Sequence, residues 1–184
     1  MSYKWWLCIA VVLFGIGIAL GLATPASMLG LLSEDVAALE EMAGLLESIP
    51  LPYVFIIILV KNASALLISL ALSPIFCLVP VLALVVNGWI IGLVSVAVVQ
   101  EESLGYLLAG LLPHGVFEIP ALIMGEAAAL SLGTAVILSI FKKSGGDLLR
   151  SEVKRTLRYL LIALALLLPA AIIETFVTPL FLGG

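Results

Sequence analysis

The sequence predicts an all-α integral membrane protein of five transmembrane helices, a re-entrant half-helix and an outer amphipathic helix. Three observations predict it. Of the 184 residues, 64% are apolar and only 11% charged, and the mean hydropathy is +1.33, leaving too little polar surface to cover a soluble globule. The apolar runs are long enough to cross a bilayer. They lack the short alternating segments of an outer-membrane barrel, and helices are the other way to satisfy every backbone polar group in lipid. Cys8 and Cys77 lie in different apolar segments without metal-ligand spacing, and read as small lipid-buried residues.

The first span covers about 5–23. Lys4, Trp5 and Trp6 precede it as a cation and aromatic interface anchors, and the apolar run is longer than the core of a signal peptide. Gly17 and Gly21 form a GxxxG face that suits packing within the monomer or a homodimer. In residues 27–49, Leu32, Val36, Leu39, Met42, Leu46 and Ile49 recur at helical spacing among five acidic residues. This amphipathic helix ends before Pro50 and Pro52. Having no lysine or arginine, it suits the outer face of the protein or a partner better than anionic lipid.

The second span, about 53–72, carries Lys61 and Asn62 near its middle. Lys61 stands about 12 Å of helix from either end, too far to snorkel comfortably, so it needs a counter-charge from the glutamates of later spans. The third span, about 75–99, contains Pro80, and its Asn87-Gly88 pair suggests a local break or a close helix crossing; Gly88 and Gly92 make a second small-residue face. Residues 104–112 are apolar but supply only about 14 Å of helix, and Pro113-His114-Gly115 follows. They read as the re-entrant half-helix, or as an interfacial hairpin.

The fourth span, about 116–141, holds Glu118 and Glu126, with Gly125, Ala129 and Gly133 as a packing stripe. Residues 142–158 form a basic loop with Lys142, Lys143, Arg150, Lys154, Arg155 and Arg158. Placing this loop and Lys4 in the cytoplasm puts both acidic connections outside, so the N-terminus is inside and the C-terminus outside. The basic loop is a topology signal, and no nucleic-acid partner is implied. The fifth span, about 159–180, carries Glu174 in its outer half.

Intramembrane carboxylates mark candidate sites because an ionised group in hydrocarbon must be paired or hydrated. His114 and Glu118 are four residues apart and share a helix face. With Glu174, Asn87 and Asn62 they are expected to meet in one polar core, with Lys61 and Glu126 nearer the middle of the membrane. Three glutamates against one lysine leave up to two uncompensated negative charges, so some are protonated or a cation sits among His114, Glu118 and Glu174.

The stretch LLPHGVFEIPALIMGEAAALSLG resembles the signature of the stage II sporulation protein M family. Asn62, Asn87-Gly88 and the IIETFVTP segment around Glu174 are similar to the family's other polar positions, and the resemblance covers nearly the whole chain. Glu126, where the family has a small residue, and Lys61, beside a single asparagine, depart from the pattern. The resemblance implies a polytopic membrane component that, in sporulating bacteria, recruits and holds peptidoglycan-remodelling partners. Many members occur in organisms that neither sporulate nor make that wall.

Three functional readings stand at this point. The first is a scaffold or assembly component of the plasma membrane, touching lipid and other membrane or extracytoplasmic proteins. The second is a transporter or channel for a proton, ion or small solute, with His114 and Glu118 binding or relaying it, Glu174 completing the site, Asn87 and Asn62 supplying oxygen ligands and Lys61 acting as counter-ion. The third is an intramembrane hydrolase with a metal on His114, Glu118 and Glu174. One histidine is a poor zinc set, and no serine, cysteine or threonine stands in a nucleophile setting.

Overall fold

A computed structural model describes residues 2–25, 49–75, 77–141 and 146–182. Among them are six helices: α1 (Tyr3–Leu22), α2 (Leu51–Leu72), α3 (Leu78–Glu101), α4 (Leu104–Phe141), α5 (Gly146–Phe176) and the short α6 (Thr178–Phe181). Five of these are long and apolar enough to cross a membrane, as the sequence predicts. The amphipathic segment 27–49 lies outside the described residues except for Ile49.

The contacts fix the relative directions of the helices. Gly17 of α1 lies against Val85 and Trp89 of α3, and Gly21 lies against Trp89 and Leu93, so the two helices run parallel. Asn62 meets Glu118, Ser69 meets Glu126 and Ser73 meets Gly133, so α2 runs parallel to α4. Ser131 meets Glu152 and His114 meets Thr178, so α4 and α5–α6 run antiparallel. Successive spans therefore alternate in direction. The α3–α4 turn marks one end of the bundle, and Cys77, against Leu130 and Thr134, lies toward the other.

Packing in lipid has little hydrophobic driving force, so it depends on close approach and on polar contacts. Both GxxxG faces serve one internal crossing. A Cβ on Gly17 or Gly21 would run into the carbonyl oxygens of Val85 or Trp89, and one on Gly88 or Gly92 into those of Phe14 or Ile18. The surface that a GxxxG dimer would use is thus filled inside the chain. The Asn87-Gly88 pair makes the close crossing, not the break: α3 is continuous through it.

The separate re-entrant half-helix is not what the chain forms. Residues 104–141 are one helix of 38 residues running straight through Pro113-His114-Gly115. A single proline removes one backbone hydrogen bond, and neighbouring helices in a membrane bundle can hold the turn together. At 1.5 Å per residue α4 is about 57 Å long, well beyond the roughly 30 Å hydrocarbon core. Within its second half, Gly125 to Ala135 is the most buried stretch among the described residues.

The segment read as a basic loop is also largely helical, because α5 begins at Gly146. Glu152, Thr156, Leu160, Ala163, Leu167 and Ala170 are buried at three- and four-residue intervals, so one helical face continues from the basic segment into the span. Pro80 falls in the first turn of α3, where its missing N–H has no helical partner to lose. At the far end of α5, Val177 interrupts the helix before Thr178 opens α6.

Candidate functional site

The polar cluster forms where α2, α4, α5 and α6 meet. The Asn62 side-chain amide, eleven residues into α2, donates to Glu118 Oε1 of α4 at 3.1 Å. His114 lies one turn away on α4, with Nε2 3.9 Å from Glu118 Oε2. Its Nδ1 is 3.4 Å from Thr178 Oγ1, so the turn at Val177 delivers a hydroxyl to the imidazole. Glu174 completes the group: one donor atom from each of His114, Glu118 and Glu174 lies within 4.8 Å of the others. His114 and Glu118 stand about 15 to 21 Å along α4 from its start.

The other sequence-predicted residues are placed differently. Asn87 donates its amide to the Ala83 carbonyl of its own helix at 2.7 Å, and its side chain lines a small cavity of about 50 Å³ together with Asn62 and Glu118. Lys61 is exposed on α2, within electrostatic reach of Glu174. Among the described residues the close acid–base pairs are Glu152–Arg155 and His114–Glu118, the latter an ion pair only when the imidazole is protonated, so Lys61 does not form the direct carboxylate pair expected of it.

Glu126 forms a second, separate site. It is two turns further along α4, about 12 Å from Glu118 at 1.5 Å per residue. Only 1% of it is exposed, and the Ser69 hydroxyl donates to its carboxylate. Its role in the structure is a polar tie between α2 and α4, one that leaves it outside the His114 cluster.

A third polar group escaped the sequence reading. Ser131 donates to Glu152 Oε2 at 2.8 Å, Arg155 donates to Ser131 Oγ at 2.8 Å, and Arg155 pairs directly with Glu152. Thr156 donates to the Ala128 carbonyl at 3.4 Å nearby. Tyr3 donates to the Met124 carbonyl at 2.7 Å and stacks on Tyr159, with ring centroids 3.5 Å apart. The detectable signal was the helical spacing of Glu152, Arg155, Thr156 and Tyr159, which count of positive charge alone obscures. Thr178 was legible only as part of a terminal Thr-Pro.

Chemically, the His114 cluster offers one imidazole and two carboxylates, with the Asn62 amide beside them. One imidazole and two carboxylates with ligand atoms within 4.8 Å of one another are the donor types of a three-ligand divalent-cation site. The same groups can also satisfy one another by hydrogen bonds.

Five apolar helices closed around intramembrane polar ties define a multi-pass helical membrane protein. The family profile of stage II sporulation protein M matches residues 10–179, and the chain belongs to that family. It is similar to an uncharacterized protein of Methanocaldococcus jannaschii, 32% identical over 123 residues, an alignment that covers 66% of this chain and 69% of that one. No solved structure matches the chain.

Proposed function

We propose that this protein is a membrane-embedded scaffold or assembly component, and that its intramembrane polar residues are the clasps that hold five spans in one arrangement. The observation that carries this reading is the Asn62–Glu118–His114–Thr178 chain of contacts, which ties α2, α4 and α6 together and directs the polar groups at one another. The cavity beside them, about 50 Å³, has room for only a few waters or an ion. Membership of the stage II sporulation protein M family supports a multi-pass assembly role. With Lys4 and the basic segment 142–158 in the cytoplasm of a plasma-membrane protein, the acidic segment 27–49 faces outward, where it would meet extracytoplasmic partners.

A second reading is a cation or proton site, favoured by the approach of His114, Glu118 and Glu174 to within 4.8 Å. The two are separated by Glu118→Gln in lipid nanodiscs, with thermal stability and metal content measured together. The scaffold reading expects a lower melting temperature and no stoichiometric metal in the wild type. Metal bound at one per chain and lost in the variant would transfer the conclusion to the cation site.

A further inference from the structure

A groove of about 350 Å³ lies between α3 and the first third of α4, reaching the polar cluster only at His114. Ile90, Ile91, Val94 and Val98 form one wall and Leu107 and Leu111 the other, with Leu182 closing one side and His114 at the inner end. From Tyr106 to His114 the groove follows eight residues of α4, about 12 Å. One leaflet of a hydrocarbon core about 30 Å thick is about 15 Å deep. The groove therefore has nearly the depth of a leaflet and a mostly apolar lining, and its Val98–Tyr106 end adjoins the α3–α4 turn.

The charge at that end narrows the occupant. Gln100, Glu101, Glu102 and Ser103 form the turn, Glu101 and Glu102 are exposed, and residues 98–107 contain no lysine, arginine or histidine. An anionic headgroup would be repelled there, whereas an ammonium group would be attracted. We infer that the groove is a binding site for one hydrocarbon chain of a membrane lipid whose headgroup carries an amine, with the amine at Glu101 and Glu102 and the chain end against His114. Such a chain would keep water from reaching the imidazole from this side, so the lipid becomes part of the wall of the polar cluster. This inference does not depend on the scaffold reading.

Gly110 gives the test a clean handle. A Cβ built there meets only the Leu182 methyl groups, at 3.7 and 3.9 Å, so a larger side chain can enter the groove without striking backbone. Protein is equilibrated in nanodiscs of mixed phosphatidylethanolamine and phosphatidylglycerol, and lipid retained after transfer to detergent is measured by native mass spectrometry. The wild type is expected to retain one phosphatidylethanolamine per chain. Gly110→Leu should cut retention at least fivefold at an unchanged melting temperature, and Val94→Phe provides the same reading if the first variant is unstable. Glu101→Gln with Glu102→Gln should keep the lipid but remove the preference for the amine. Equal retention in the wild type and both groove-filling variants would overturn the inference. So would conversion of a dimer to a monomer by Gly110→Leu with retention unchanged, which would assign the groove to a second copy.

Discussion

The Asn62 amide donates to Glu118 Oε1 at 3.1 Å across the α2–α4 interface, joining a neutral group on one span to the carboxylate of another. A carboxylate in a helix bundle needs such donors, because lipid offers none. Hydrogen bonds to a charged group are worth about 1.5–3 kcal/mol, although partners in the membrane-unfolded state reduce that figure. Asn62→Leu should therefore destabilise the bundle by about 1–2 kcal/mol. Combining it with Glu118→Gln should cost less than the sum of the two single changes, as read by denaturation in mixed micelles.

The α1–α3 crossing gives a sharper contrast within one helix. Gly17 has backbone of α3 where a Cβ would sit, while Gly15, two residues earlier, faces open space. Gly17→Val should separate the helices and lower the yield of folded protein several-fold. Gly15→Val should leave both yield and melting temperature unchanged. Equal tolerance of the two would mean that the crossing is not formed.

Among the described residues, Ser69 is the hydrogen-bond partner of Glu126, whose side chain is almost fully enclosed. Ser69→Ala leaves the carboxyl group without it, at a cost of about 1–3 kcal/mol. Glu126→Gln keeps an acceptor for the serine and should be the milder change. Thermal melts of the two variants check the order.

Arg155 holds Glu152 and Ser131 at the end of the bundle opposite the α3–α4 turn. Arg155→Ala removes a cation from a buried carboxylate and should destabilise the protein by about 1–3 kcal/mol. Lys154→Ala removes an exposed charge of the same sign and should change stability by less than about 0.5 kcal/mol. If the two behaved alike, the basic segment would be acting only as a topology signal.

The sequence made the membrane class and all five spans legible, since each apolar run is long and the interruptions are few. It also brought His114, Glu118, Glu174 and Asn62 to one place, because intramembrane polar residues have few places to go. Continuity was harder to read. Pro113-His114-Gly115 and Asn87-Gly88 are locally poor helix, yet α4 and α3 run through them, since lipid penalises a broken backbone more than a propensity scale does. The Glu152–Arg155–Ser131 tie was hidden by reading residues 142–158 as charge alone, although the helical period of the fifth span already extends back to Glu152.

On the proposed scaffold role, the His114–Glu118–Glu174 cluster holds the bundle together and passes nothing through it. Its most direct test is proton and cation flux into liposomes containing purified wild-type protein or Glu118→Gln, at equal protein density and with empty liposomes as reference. Wild-type flux is expected to equal that of empty liposomes, and the variant to differ only in stability. Wild-type flux well above the reference, abolished by Glu118→Gln in protein that remains folded, would contradict it.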